Sequence, residues 1–253
     1  KTGFWFWKSY DGPDDRCGQV TAMSGVIAAP RNPVGNSVGL AYNSNLIPVL
    51  GSSDVIINSS DEKNGVAEAL VLLGNKSDVR IFSMSIGDVF SNSKVADSVC
   101  YAFNRGKLIF AAAGTCTTFT NWVGVIFPAN MSETVAVTGI KKGTGYQRWD
   151  TCHSGSQVEF IVVIQLSVTG ITALSLPNSE DQPSTVGDSS VATAIASGIA
   201  AVVWAKNPGW SRDQVLNHMH STSDLFPNRS SQNGFENLNT APTVDETKTE
   251  AVS

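Results

Sequence analysis

A doubly wound α/β fold, with a mostly parallel sheet covered by helices on both faces, is predicted by two features of the chain. Segments with strand character alternate with segments of helical periodicity, and the strands are almost continuously apolar. Such strands are typical of parallel sheets that are buried on both faces. The 253 residues, 42% of them hydrophobic, are enough for one large core. We therefore expect one domain over residues 1–242, followed by a polar tail over residues 243–253.

The alternation begins near the amino end of the chain. Thr21–Ala29 is small and apolar at helical spacing, and Pro30 ends it. A strand is predicted over Asn45–Leu50. The next helix is predicted over Gly65–Leu73, with Gly74 as its stop signal.

The remaining predicted elements continue this order. They are strands at Val79–Ser85, Lys107–Gly114, Glu133–Gly139 and Gln157–Val163, and helices at Ser93–Asn104 and Ser189–Lys206. The last helix is rich in Ala, Gly and Ser, which allows it to run through the centre of the fold. In sheets of this type the ligand site lies beyond the carboxyl ends of the strands. We expect the site where Ser85–Gly87, Gly114 and the loop into Ser189 meet.

Charge and hydropathy exclude several classes of partner. The formal net charge of −5 is spread along the chain without a basic run, so nucleic acid is not an expected partner. No segment has 18 consecutive apolar residues, so no membrane span is expected. Lys1–Trp7 lacks the features of a signal peptide, and we expect a soluble chain that begins after processing or truncation.

Cysteines and glycosylation sequons are indicators of the cellular compartment in which the protein is located. The four cysteines allow three disulfide pairings and lack zinc spacing, so buried thiols or one disulfide are expected at Cys17, Cys100, Cys116 and Cys152. Four sequons permit N-glycosylation in a secretory pathway, at Asn58, Asn75, Asn130 and Asn228. Together with the low charge content, they favour an extracellular or secreted setting.

Six segments resemble motifs of one enzyme family. They are Cys17–Pro30, Ser83–Gly87, Ala112–Thr115, Gly187–Thr193, its continuation to Pro208, and Gly234–Asn239. In this order and spacing they resemble the subtilisin-like serine proteases, the subtilase family (peptidase S8), over residues 16–241. The segments correspond in turn to the catalytic histidine helix, the strand that pairs with substrate, the oxyanion segment, the nucleophile turn, the helix that follows it and the closing turn.

The resemblance assigns roles to individual residues. Ser189 stands at the position of the nucleophile, and Thr115 stands at the position of the oxyanion asparagine. Ser85, Ile86, Gly87 and Gly114 are similar to the residues that bind an extended peptide or protein substrate. The resemblance thus implies an α/β subtilisin-like fold and serine endopeptidase ancestry.

The same resemblance shows departures at the catalytic base. Gln19 occupies the histidine position, and an amide has no basic lone pair with which to accept the serine proton. Val20 and Ser24 also depart from the family pattern. The family's aspartate strand lies well ahead of the histidine, whereas only 18 residues precede Gln19. We interpret Asp11, Asp14 and Asp15 as a solvated turn, so this strand is expected to be absent.

Other residues do not replace the lost groups. Asp188 replaces a threonine beside the nucleophile, where its charge opposes a developing oxyanion. His153, His218 and His220 are interpreted as surface or capping histidines. No cofactor and no metal ligands are predicted from the residues. Calcium is implied only by the family, because no acidic cluster has a recognisable calcium spacing.

Three functions are compatible with these observations. The favoured hypothesis is a non-catalytic pseudoprotease that binds extended peptides by strand addition along Ser83–Gly87. The alternative is an active secreted serine endopeptidase whose chain is incomplete or misread around position 19. A nucleotide-binding domain fits the fold but lacks the glycine-rich phosphate motifs. A separate N-terminal segment is expected as a partner that completes the sheet.

Overall fold

The computed structural model describes residues 19–31, 38–52, 55–115, 124–141, 151–164, 188–230 and 234–237. The predicted tail and the domain boundary at residue 242 lie outside these residues. The helices are α1 (Gln19–Ala28), α2 (Ser60–Gly74), α3 (Ser93–Asn104), α4 (Asp188–Lys206) and α5 (Arg212–Thr222). The strands are β1 (Ile81–Met84), β2 (Leu108–Ala112), β3 (Val135–Lys141), β4 (Val158–Ile164), β5 (Asp224–Ser230) and β6 (Gly234–Asn237).

The strands form one sheet in the order β1-β2-β3-β4-β6-β5. All neighbours are parallel except β5 and β6, which run antiparallel at the far edge. In β1 and β2, Met84 lies opposite Ala111, so the carboxyl ends of these strands are level. The predicted α/β fold class is confirmed.

Two hydrophobic clusters, one on each face of the sheet, form the core. Alternate residues of β2 divide between them: Phe110 belongs to the cluster that includes residues of α1, α4 and α5, whereas Ile109 belongs to the cluster that includes residues of α2 and α3. Small residues let α4 lie close to its neighbours. A Cβ at Gly198, for example, would stand 3.0 Å from the Leu40 Cβ. Helices therefore cover both faces of the sheet, as predicted.

Most predicted elements have the expected place, and α3 has the expected bounds. Helix α2 begins five residues earlier than predicted, at Ser60 rather than Gly65. A capping box causes this, because the Ser59 side chain accepts from the Glu62 N–H and the Glu62 carboxylate accepts from the Ser59 N–H. The sequon at Asn58 directly precedes this cap.

The strand predicted over Asn45–Leu50 is wrong. This segment has no regular secondary structure, and Leu46 and Ile47 are exposed at 40% and 39%. Pro48 lacks the N–H that a ladder needs. Val49 packs against the core, but it is only partly buried. Strands β5 and β6 were not predicted, because their sequence is largely polar and lies at the rim of the sheet.

Helix α4 is long and apolar enough to cross a membrane by length and composition, yet 67% of its apolar window is buried inside the fold. Its packing against the sheet accounts for that composition. This single helix is weak evidence for a membrane span.

Two cysteines, Cys100 and Cys152, lie in the described part of the chain, and neither forms a disulfide. Cys152 is buried and Cys100 is half-buried. Burial raises the pKa of the Cys100 thiol, and the nearby Glu133 carboxylate raises that pKa further. The Cys100 thiol is therefore protonated at neutral pH, the form in which a thiol is unreactive.

Candidate active site

The amino end of α4 presents Ser189 at the carboxyl edge of the sheet. Asp188, the first residue of this helix, has a left-handed φ of 74°, which is uncommon for a residue with a Cβ. The Thr151 Oγ1 donates a hydrogen bond of 2.6 Å to the Asp188 Oδ1. This bond supports the turn that directs Ser189 into the site.

Three of the predicted site residues meet at this point. The Ser189 Oγ lies 3.0 Å from the Thr115 Oγ1, and either hydroxyl can donate. The Ser85 Oγ donates to the Ser190 carbonyl oxygen at 3.1 Å, which ties the end of β1 to the start of α4. The structure thus brings Ser85, Thr115 and Ser189 together where the sequence predicted.

The described hydrogen-bond environment of Ser189 contains no basic group. Ser189 is 1% exposed, and among the described residues the partner of its Oγ is a hydroxyl rather than an imidazole. A hydroxyl partner can orient the serine but cannot take its proton at neutral pH. Gln19 is the first residue of α1, and its side chain is not among the described ones.

His153 is buried beside the site, at 1% exposure, so the prediction of a surface or capping histidine is wrong here. The turn at residues 151–153 is held against the oxyanion segment by its backbone. Thr115 pairs with Cys152, and the His153 N–H donates to the Gly114 carbonyl at 2.9 Å. The His153 Nδ1 lies 2.8 Å from the Gly124 carbonyl oxygen. A carbonyl only accepts, so Nδ1 carries the proton in this contact.

Gly114 is the point of closest approach between His153 and the oxyanion segment. Its φ is +120°, and a Cβ added there would lie 2.6 Å from the His153 Nδ1. Only glycine meets both conditions without strain. Gly114 is a predicted substrate-binding residue, and its packing against His153 is a second reason for glycine at this position.

The two other histidines stand on α5, away from this edge. His220 Nε2 lies 2.6 Å from the Glu159 Oε1, and its ring stacks on Phe160 with centroids 4.6 Å apart. Glu159 is the second residue of β4, at the amino end of the parallel strands. His220 therefore lies at the amino ends of the strands, whereas Ser189 lies at their carboxyl ends. His218 contacts Trp210 edge-on at 5.4 Å.

Gly87, a predicted substrate-binding residue, already has main-chain partners. Its N–H donates to the Val55 carbonyl at 2.9 Å, and its carbonyl accepts from the Ile57 N–H at 3.0 Å. The next residue, Asp88, forms a two-way backbone pair with Phe127. Segment 55–57, which sequence reasoning did not select, therefore occupies the end of the predicted peptide-binding edge.

The outer edge of β1 is different upstream of Gly87. Because the Leu108 N–H donates to the Arg80 carbonyl, the main-chain groups of Ile81 and Ser83 face away from β2. Within the described ranges no strand is paired there. The predicted edge thus has two parts. One is covered by segment 55–57, and the other, along Ile81 and Ser83, has no neighbouring strand among the described residues.

The calcium implied by the resemblance has no fit among the described residues. They contain no group of three or more His, Cys, Asp or Glu side chains that could hold a metal ion. Asp88, which follows Gly87, pairs with the Lys63 ammonium at 3.3 Å.

Comparison with known proteins identifies the family. The family model described as the subtilase family matches residues 14–241. The chain belongs to the subtilase family. It has the scaffold of a subtilisin-family serine protease.

Individual relatives support this subtilase assignment. The chain is 28% identical to the alkaline protease of Alkalihalobacillus alcalophilus over 83% of its own length and 50% of that protein. It is 27% identical to subtilisin Savinase of Lederbergia lenta, over 83% of this chain and 71% of the relative. The chain thus spans about half the length of the first of these curated relatives.

Solved structures show the same fold. Fervidolysin from Fervidobacterium pennivorans has a TM-score of 0.68 at 16% identity, covering 88% of this chain and 35% of that one. MycP1 from the ESX-1 type VII secretion system has a TM-score of 0.66 at 17% identity, covering 88% and 69%. At these identities the likeness supports the fold alone.

Proposed function

We propose that this subtilase domain is a pseudoprotease that binds extended peptides without cleaving them. Gln19 carries the proposal, because it stands at the family position of the general base and an amide cannot act as one. The hydroxyl contact between Ser189 and Thr115 supports it, since this contact supplies no proton acceptor of sufficient basicity.

Two further features of the site disfavour hydrolysis. Asp188 carries a carboxylate beside the nucleophile, where negative charge develops on the substrate oxygen in the transition state. Thr115 replaces an asparagine and offers a shorter donor arm. The Ser189 N–H at the start of α4 remains as an oxyanion donor, which stabilises a carbonyl in binding as well as in catalysis.

Peptide binding uses the outer edge of β1. Ile81 and Ser83 direct main-chain donors and acceptors outward, so an extended chain can add there as a strand. To reach Gly87 and the region of Ser189, the peptide displaces segment 55–57 from the Gly87 backbone. One set of hydrogen bonds replaces another, so the exchange costs little enthalpy.

The test of the proposed function combines active-site labelling with binding. We expect a fluorophosphonate probe to leave Ser189 unlabelled, as in a Ser189→Ala control, because an unactivated serine is a poor nucleophile. We also expect saturable binding of an unstructured casein-derived peptide mixture, followed by fluorescence anisotropy, with intact peptide recovered by mass spectrometry. Labelling that depends on Ser189 would overturn the proposal.

Displacement of segment 55–57 has its own expected result in hydrogen exchange. In the free protein the amides of Gly87 and Ile57 are both hydrogen-bonded and should exchange slowly. When peptide binds, the Ile57 amide should exchange faster while the Gly87 amide stays protected by the peptide carbonyl. Asp88, which pairs with Phe127, provides an internal control whose exchange should not change. Unchanged protection of Ile57 at saturating peptide would contradict this mode of binding.

A second candidate is an active secreted serine endopeptidase, of which this chain is an incomplete or misread version. The retained Ser189 turn favours it. Its extracellular setting is supported by a relative named as a halolysin-like extracellular serine protease, from Natrialba magadii, 32% identical over 143 residues. Sequencing of the source DNA across codon 19 distinguishes the two candidates.

A further inference from the structure

The asparagines of the sequons differ in the hydrogen bonds that their side chains form in the folded chain. The three whose side chains are described are Asn58-Ser59-Ser60, Asn75-Lys76-Ser77 and Asn130-Met131-Ser132, and all three asparagines are exposed. Exposure alone therefore does not separate them. Their hydrogen bonds do.

Asn75 is a structural residue at the carboxyl end of α2. Its Nδ2 donates to the Val71 carbonyl at 2.9 Å, and its Oδ1 accepts from the Tyr101 hydroxyl at 2.8 Å and from the Arg105 Nε at 3.2 Å. This side chain joins α2 to α3. A sugar on its Nδ2 would have to fit among these groups, so glycosylation and native packing compete at Asn75.

Asn58 and Asn130 have no such role. Each has main-chain hydrogen bonds, from the Asn58 N–H to the Glu62 carboxylate and from the Asn130 N–H to the Ile126 carbonyl. Within the described part of the chain their side-chain amides have no hydrogen-bond partner. A substituent on either Nδ2 therefore breaks no contact of the fold.

We infer that Asn58 and Asn130 are acceptor sites for an N-linked oligosaccharide, and that Asn75 is not. The inference rests on the proposed extracellular location, which supplies the secretory enzymes. In the transfer, the asparagine Nδ2 bonds to the anomeric carbon of the first sugar of a lipid-pyrophosphate-linked oligosaccharide. The bond from that carbon to the pyrophosphate oxygen breaks, and the lipid pyrophosphate leaves with the electron pair while the amide loses one proton.

Both acceptors border the proposed peptide site. Asn58 follows Ile57, whose N–H is bonded to the Gly87 carbonyl. Asn130 lies three residues beyond Phe127, which pairs with Asp88. Glycans at these positions would stand on either side of the Gly87–Asp88 segment. They would admit a flexible peptide and hinder a folded protein, so the bound ligand would be selected by its size.

The test is secretion of the chain from yeast with Asn228→Gln present throughout, so that the fourth sequon does not contribute. Digestion with a peptide N-glycosidase in ¹⁸O-labelled water converts each glycosylated asparagine to labelled aspartate, which peptide mass spectrometry locates. We expect label at Asn58 and Asn130 and none at Asn75 in the folded secreted fraction. Asn58→Gln and Asn130→Gln should each remove one glycan from the intact mass.

Matched variants keep the test decisive. Ser60→Ala and Ser132→Ala abolish the two sequons without changing an asparagine, and each should remove one glycan as well. Asn75→Gln should remove none. Label at Asn75 in the folded fraction, or a secreted chain without glycan beside a glycosylated reporter protein, would overturn the inference. The readout is mass, so failure of peptide binding would not affect it.

Discussion

Replacement Gln19→His is expected to raise peptide hydrolysis by the chain roughly 10- to 70-fold. In subtilisin, a family member, loss of the histidine lowers kcat by about 2 × 10⁶ and loss of the aspartate by only about 3 × 10⁴, both values measured on that enzyme. Restoring a histidine without an aspartate therefore recovers at most the ratio of the two, about 70-fold. Thr115 at the asparagine position places the expected gain below this ceiling.

The gain should have the pH dependence of a histidine base. Only neutral imidazole accepts a proton, so the rate should rise with pH through about 6.5. Gln19→Asn serves as the matched variant without a basic nitrogen, and Gln19→His combined with Ser189→Ala should lose the gain entirely. Initial rates on a fluorogenic peptide between pH 5 and 9 provide the measurement. Equal rates for the His and Asn variants would mean that residue 19 does not reach Ser189.

Substitution Gly114→Ala is expected to lower the free energy of unfolding by about 2–5 kcal/mol, from backbone strain and overpacking together. The φ of +120° is unfavourable for any residue with a Cβ, and the new methyl group would stand 2.6 Å from the His153 Nδ1. His153 has little freedom to move, because it is buried and its ring and backbone are hydrogen-bonded. Urea denaturation followed by tryptophan fluorescence measures the change.

Gly106→Ala separates strain from contact. Gly106 also has a positive φ, +75°, but a Cβ there would meet nothing within 4 Å, so its cost is strain alone, roughly 1–2 kcal/mol. The double variant Gly114→Ala, His153→Ala removes the colliding ring and should be more stable than the sum of its single changes implies. Equal costs at positions 106 and 114 would show that the His153 contact has no energetic weight.

The fold was predictable because its signals are local and strong. Apolar strands such as β2 are buried along their whole length, and α3 has the amphipathic spacing and the Asn92 cap that define its bounds. The failures have physical causes. Asn45–Leu50 has β-forming residues but pairs with no strand in the part of the chain that the structure describes. Strands β5 and β6 pair despite polar sequences, because they lie at the rim of a sheet already formed.

The site was predictable in its motif residues and not in their partners. Ser85, Thr115 and Ser189 follow from position at strand ends and at the start of a helix. The bond from Thr151 to Asp188, the burial of His153 and the pairing of segment 55–57 with Gly87 join residues far apart in the sequence. No local pattern marks such contacts. The Thr-Cys-His turn at residues 151–153 was the nearest available signal.

Because α4 is buried, its sequence is constrained by packing whether or not the protein is an active enzyme. Ser189 is 1% exposed, and Val191, Ala192, Ala194 and Ala196 are at 0%, so each must be small or well fitted for the helix to lie against the sheet. A chain that never cleaves a bond is under the same requirement. Similarity of the α4 sequence to the family therefore reflects the limited space for side chains inside the domain. It does not report chemistry, which depends on whether a base reaches the Ser189 hydroxyl.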